Sequence, residues 1–411
     1  MNEASVMRKM LRDVKKDRPV DAVAKSAEEL FHSLAKSVSL EVDGAILEDK
    51  TYLGDVFGPA CADTGQYFLM GTAKHNPAGF PKVGVIVTEE EYHSLLADPA
   101  AAREGCAIFG ACIGQEWKFH LFDDKRTTMT LIPYKLTKEL FSRTAGLLDN
   151  ASLTEKAAII VGQGSVGSLA AMLLARLGVG RFLLIDRDTF GLVNISRHML
   201  TCADLGRYKV DAMRDLILRI NPYAKVEVFR GWLQDVPAEL VSSVKNGIVV
   251  GTADHHGSNA DANDLAALLG LPFVAIGCWK NAHAGAVFYW TPGGNMPTYG
   301  QANAELIEEE RRDPPRNYDY YNDPDEESTQ ERQNGLAANI FFVTAVGVLN
   351  ILDLLHLDND AYHSLMLHDH TNFTIAGITN RPEIGGETAA MFPHSLFISN
   401  NVVISAGEDN G

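Results

Sequence analysis

Between positions 157 and 254 the chain spaces out the residue types that a phosphate ester needs. Gly162-x-Gly164-x-x-Gly167 follows an apolar run, residues 157–161, and leads into an Ala/Leu-rich stretch. Glycines let a backbone turn tightly against a phosphate, and the N–H groups opening the next helix meet its charge. Asp186 closes the following apolar run, where a carboxylate can accept hydrogen bonds from ribose hydroxyls. Asn194, Arg197 and Lys209 come next, and further on the turn Thr252-Ala253-Asp254. An amide and two cations beside a glycine loop suit a polyphosphate whose charge must be neutralised during attack. A dinucleotide site for hydride transfer shares the loop and the acid but has no need of the cations. An NAD-dependent oxidoreductase is therefore the rival reading. Spacing alone also fits Arg197 and Lys209 to a solvated helix face, and Asp254 to a turn capping a helix that starts near Gly257.

The elements needed to hold these residues can be traced around them. Residues 157–161, 182–185, 247–251 and 273–277 read as short apolar strands. The expectation is an α/β fold with a mostly parallel sheet, occupying residues 141–411, preceded by a small α+β domain over residues 1–140. Residues 335–357 are long and apolar enough for a membrane span, but Asn339, Thr344 and Asn350 interrupt them. They read as a buried core helix.

Taken in order, these motifs resemble the adenylation domain shared by ubiquitin-activating enzymes and the ThiF/MoeB-type adenylyltransferases, over about residues 157–355. That resemblance implies a Rossmann-like adenylation domain. It implies that Gly162, Gly164 and Gly167 cradle ATP, that Asp186 binds the ribose, and that Asn194, Arg197 and Lys209 face the phosphates. It assigns Asp254 to magnesium. It further implies a homodimer in which an aromatic-x-Arg segment, here Phe141-Ser142-Arg143, supplies Arg143 to the other subunit's site. The implied reaction is attack of a peptide C-terminal carboxylate on the α-phosphorus of ATP, giving an acyl-adenylate and pyrophosphate. The substrate would be the C-terminus of a small ubiquitin-like protein in a bacterial conjugation pathway, with a conjugating enzyme as a further partner. A catalytically silent scaffold is the other reading within the family, and Arg197, Lys209 and Asp254 argue against it.

Composition narrows the classes. The 411 residues carry a formal net charge of −17, with 46% hydrophobic and 22% charged residues. That describes a soluble globular chain, and its acidity disfavours nucleic acid as a partner. The charged amphipathic N-terminus reads as neither signal peptide nor span, so a cytoplasmic protein without membrane contact is expected. Five scattered cysteines, at 61, 106, 112, 202 and 278, fit a reducing compartment. No C-x-x-C pair occurs, so the structural zinc that many family members hold is not expected. Cys278 and Cys202 read as structural.

The family's crossover segment falls at residues 292–334 and contains no cysteine to take the acyl group as a thioester. Either the adenylate passes directly to another protein, or a hydroxyl accepts it, with Ser328 and Thr329 best placed and Thr298 next. No base is evident beside Ser328. A third possibility is that the cysteine was replaced in this copy of the chain. Residues 305–334 combine proline, charge and tyrosine with few aliphatics, which predicts a segment unable to bury itself. At the N-terminus a helix pair is expected over residues 4–37. The six short stretches that follow faintly resemble a metalloprotease-like (JAB) domain without its zinc ligands, His75 being solitary; docking and dimerisation are equal readings. In the C-terminal extension, 365–411, two closing strands are expected. His363, His368, Asp369 and His370 invite a metal, though strand-end polar residues explain them as well.

Overall fold

The computed structural model describes residues 38–389 apart from 77, 136–138, 280–281, 313–334 and 367–371. The expected helix pair at 4–37 and the second closing strand lie outside these residues, as do Ser328, Thr329, His368, Asp369 and His370. The chain divides into two compact units, Met1–Glu139 and Leu140–Gly411.

Among its described residues the first unit holds nine short strands: β1 (Ser39–Asp43), β2 (Gly54–Phe57), β3 (Ala60–Cys61), β4 (Gln66–Leu69), β5 (Gly71–Thr72), β6 (Lys82–Ile86), β7 (Ile108–Ile113), β8 (Glu116–Leu121) and β9 (Thr130–Tyr134). They form two sheets, ordered β3-β4-β1-β9 and β5-β2-β6-β7-β8. Helix Glu89–Ala97 carries the crossover between the parallel pair β6 and β7. Thr88 caps it and three glutamates fill its first turn, where the helix dipole favours negative charge. Buried Arg126 fixes the far end of that helix, donating to the Leu95 carbonyl at 3.0 Å and the Ala101 carbonyl at 2.6 Å. Its guanidinium also lies over the rings of Phe109 and Phe122. The one buried histidine among the described residues of this unit, His120, is bonded to Tyr92 and Thr128. These polar groups are satisfied internally, which is the signature of a structural network.

The second unit is built on a seven-stranded sheet of β10 (Ala157–Val161), β11 (Arg181–Ile185), β12 (Lys225–Phe229), β13 (Gly247–Gly251), β14 (Phe273–Trp279), β15 (Ala284–Trp290) and β16 (Phe373–Gly377). Their order is β12-β11-β10-β13-β14-β15-β16. The first five run parallel, and β15 and β16 are antiparallel to their neighbours. Every residue of β10 and β13 is buried, which is why both strands are continuous apolar runs rather than alternating ones. The strand order reverses between β10 and β13, the position at which an open parallel sheet leaves a crevice at its carboxyl edge.

Helix Ala337–Leu355 has a mean hydropathy of 1.9 over its apolar window, 67% of which is buried inside the unit. It packs against β14, β15 and helix Ser165–Leu177. Asn339, Thr344 and Asn350 face inward rather than breaking it. At its end, buried Asp353 accepts hydrogen bonds from the Tyr362 and Ser364 hydroxyls and the Leu365 and Met366 backbone N–H groups, so it ties down the chain that follows.

Candidate nucleotide site at the carboxyl edge of the sheet

Register assembles the site. Val161 at the end of β10 pairs with Ile185 of β11 on one side and Gly251 of β13 on the other. The residues that follow, Gly162, Asp186 and Thr252, therefore leave the sheet side by side. Gly162 has φ +92° and its N–H donates to the Ile185 carbonyl at 2.9 Å. Gly167, one turn into helix Ser165–Leu177, lies so close to the loop that a Cβ there would sit 2.0 Å from the Gly162 carbonyl oxygen and 2.6 Å from Thr252 Oγ1. Thr252 in turn donates its hydroxyl to the Val161 and Gly162 carbonyls, at 3.0 and 2.9 Å. The loop is thus clamped between its own helix and the turn after β13. Gly164 caps the helix without a side-chain hydrogen bond, so the helix opens with backbone N–H groups that no cap side chain satisfies.

Asp186 faces this loop. One carboxylate oxygen accepts the Gln163 N–H at 2.6 Å and the other the Asp188 N–H at 2.7 Å. Burial pushes its carboxyl above the ordinary range, while Lys209 and the two backbone donors pull the other way.

Lys209 begins helix Lys209–Ile220, and it is buried, not on a solvated face. Its backbone N–H donates to the Asp188 carbonyl at 3.0 Å and its Nζ to Asp188 Oδ2 at 2.8 Å. Burial opposes its charge, but the carboxylates of Asp186, Asp188 and Asp254 outweigh that and hold the ammonium above the ordinary lysine range. Asp254 therefore lies within the field of Lys209, and its charge also acts on Cys278.

Asp254 itself is exposed. The turn beneath it is held by Asn259, which accepts the Ala253 N–H at 3.2 Å and donates to the Ala253 carbonyl at 3.0 Å. The helix that follows is His256–Leu269, capped at His255 without a side-chain hydrogen bond, so Asp254 is not its cap. Among the described residues no group of three or more histidine, cysteine or acidic side chains could hold a metal alone. One exposed carboxylate matches what Mg²⁺ takes from a protein when phosphate oxygens and water complete its shell.

Asn194 and Arg197 lie on the loop after β11. The Asn194 side-chain oxygen accepts the Gly191 N–H at 3.0 Å, and its main-chain carbonyl accepts the Arg197 N–H at 3.1 Å, which winds the segment into one tight turn. Arg197 is half-buried there. Arg143 is not brought to this site. It is exposed, and the neighbouring Phe141 is buried against Gly178, at the far end of helix Ser165–Leu177 from the glycine loop. A helix of this length separates its ends by roughly 20 Å.

Other features singled out in the sequence also have a defined place. Within the segment 305–334 helix Ala304–Arg312 forms with none of its residues buried, in keeping with its composition, and its Glu310 carboxylate accepts the His256 and Gly257 N–H groups at 2.9 and 3.2 Å. Its charged residues are helix-compatible, with Glu308 near both Arg311 and Arg312. Cys202 is exposed, in the short turn Cys202–Asp204 held by Thr201 and Asp204, and so packs no core. Thr298 is the capping residue of helix Tyr299–Ala302, its hydroxyl accepting the Gln301 N–H at 3.3 Å. Cys278, on β14 as expected, is partly buried with its thiol pushed up to about 12, mainly by burial and then by Asp254.

His198 was missed. It is buried, its Nε2 lies 2.7 Å from the Gln163 carbonyl oxygen and its Nδ1 accepts the Leu200 N–H at 3.1 Å. Its ring is 5.0 Å from that of Phe190. The only signal was its place directly after Arg197.

A mostly parallel sheet with a glycine loop, a carboxylate just after the adjacent strand and a buried lysine between acidic neighbours is a Rossmann-like architecture with a candidate nucleotide site. Residues 137–381, well over half of the chain, match the ThiF family, and the chain belongs to it. Ubiquitin-like modifier-activating enzyme 5 of Caenorhabditis briggsae is 28% identical over 155 residues, which cover 35% of this chain and 36% of that protein. The probable molybdopterin-synthase adenylyltransferase of Porphyra purpurea is 32% identical over 145 residues, 35% of this chain and 38% of its own. These matches thus span little more than a third of either relative. Among solved structures, that of E. coli MccB with ATP aligns with 56% of this chain and 65% of its own, at 17% identity and a TM-score of 0.40.

Proposed function

We propose that this chain uses ATP to adenylate the C-terminal carboxylate of a small ubiquitin-like protein, in a bacterial conjugation pathway in the cytoplasm. The observation that carries the reading is the register that sets the glycine loop, Asp186 and the Thr252–Asp254 turn at one sheet edge, with buried Lys209 in the field of the acids. A nucleotide fits this edge with its phosphates on the N–H groups of the loop and its ribose on Asp186. Asn194, Arg197 and Lys209 neutralise the phosphates, and the carboxylate attacks the α-phosphorus as pyrophosphate leaves. No protein nucleophile or proton transfer is needed for that step; positioning and charge neutralisation carry it. Asp254 would hold Mg²⁺, which when bound supplies further neutralisation of the pyrophosphate charge. The chain acts as a homodimer in which Arg143, remote from its own glycine loop, serves the site of a second copy. A conjugating enzyme is a further partner of this pathway.

The test is ATP–pyrophosphate exchange with candidate ubiquitin-like carriers. Carrier-dependent exchange that disappears in Asp254→Ala supports the reading. Tight NAD(H) binding without exchange supports an oxidoreductase, and ATP-independent dimerisation without exchange supports a silent scaffold.

A further inference from the structure

Two hydrogen bonds tie the arginine-bearing turn to the nucleotide loop. His198 reaches the Gln163 carbonyl at 2.7 Å, and the Met199 N–H reaches Ser168 Oγ, on helix Ser165–Leu177, at 3.5 Å. The first is much the shorter and is buried. Its geometry also fixes the tautomer. A carbonyl oxygen can only accept, so Nε2 must carry the proton; a backbone N–H can only donate, so Nδ1 must be bare. The ring is therefore a neutral donor with both nitrogens engaged, and Phe190 packs against its face.

Gln163 is the residue on which the loop turns. Its N–H is held by Asp186 and its carbonyl by His198, so the peptide groups on its two sides are pinned by separate parts of the chain. Its side chain is fully buried, with Nε2 donating to the Gly162 carbonyl at 3.1 Å. A loop fixed in this way presents the N–H groups of the helix start in one orientation. Because His198 directly follows Arg197, the same bond sets where the Arg197 backbone stands relative to that loop.

We propose that His198 is a positioning residue for phosphate binding: it fastens the Asn194–Arg197 turn to the glycine loop through the Gln163 carbonyl. This rests on the nucleotide reading given above. Its effect should fall on the phosphates and not on the nucleoside, since the loop and Arg197 would touch only the former.

Two variants separate this role from packing. His198→Asn keeps a short polar group near Leu200 but cannot reach Gln163. His198→Gln extends an amide nitrogen about as far as the imidazole Nε2 and can restore the donation. Calorimetric titration of the full chain with MgATP, and separately with adenosine, reads both. We expect His198→Asn to bind MgATP about tenfold or more weakly, the usual scale for removing a residue that orients a binding group. Adenosine affinity should be unchanged, and His198→Gln should return MgATP affinity to within about threefold of the parent chain. Equal MgATP affinity in parent and His198→Asn would overturn the proposal, as would a parallel loss for adenosine and MgATP. A parent chain that binds no MgATP at all would instead remove the nucleotide reading itself.

Discussion

Lys209 Nζ rests 2.8 Å from Asp188 Oδ2, so the buried ammonium is paired with an exposed carboxylate. The pairing is built by backbone as well as side chain. The Phe190 N–H bonds to the Arg207 carbonyl at 2.8 Å and the Lys209 N–H to the Asp188 carbonyl at 3.0 Å, drawing the two loop segments together. On the proposed function, a phosphate entering the site would compete with Asp188 for a cation that was desolvated when the chain folded.

Replacing that cation should therefore cost catalysis more than fold. We predict that Lys209→Ala lowers the carrier-dependent ATP–pyrophosphate exchange rate by about 10²–10³, the range for losing one preorganised charge-stabilising group. An exchange rate within a factor of a few of the parent chain would show that the ammonium does not act on the phosphates.

Gly167 tests the clamp on the loop. An added methyl would sit 2.0 Å from the Gly162 carbonyl oxygen, a backbone atom that cannot move away without shifting the loop. Gly167→Ala should destabilise the chain by about 1–3 kcal/mol, as overpacking does, and should abolish MgATP binding in the folded fraction. A melting temperature and an affinity both equal to the parent's would mean that the loop has slack the geometry denies it.

His198 predicts a pH dependence of stability. Burial pushes its imidazole down to about 4, against an ordinary value of 6.5. In the unfolded chain the ring takes up a proton as pH falls below about 6.5; in the folded chain it resists until about 4. Between those limits the unfolded state binds more protons, so stability declines with falling pH and is complete only above the unfolded value. The contribution is on the order of 3 kcal/mol across the window. Urea unfolding as a function of pH should show a slope in this range that His198→Gln lacks. Parallel curves for the two chains would contradict it.

Glu310 links the start of the crossover to the helix behind Asp254. With its carboxylate removed, the His256 and Gly257 N–H groups lose their acceptor. In Glu310→Ala we expect faster hydrogen exchange at those two amides and through residues 304–312, with a stability loss of about 1 kcal/mol. Unchanged exchange in both places would mean that the crossover helix is held by other contacts.

The sequence disclosed the part of this architecture that follows local rules. The runs at β10, β11 and β13 are apolar because both sheet faces are covered, and the glycine spacing is dictated by the close approach of Gly167 to the loop. Asp186 was legible because strand ends in this fold have a defined chemistry. His198 was not, because a histidine in a loop has no period, and its partner Gln163 is thirty-five positions away in the chain. The helix Ala304–Arg312 was obscured for a different reason: none of its residues is buried and it is tied by a cap on another helix, whereas hydrophobic patterning reports only burial. Arg143 was assigned through a resemblance, and its distance from the loop of its own chain became visible only once Phe141 was seen packed near Gly178.

The most direct measurement is a crystal structure of the full chain with MgATP. The account predicts the triphosphate against the N–H groups of residues 162–167, the ribose on Asp186, and Lys209 released from Asp188 onto a phosphate oxygen with Arg197 beside it. Bound ATP with Arg197 and Lys209 directed away from its phosphates would contradict it.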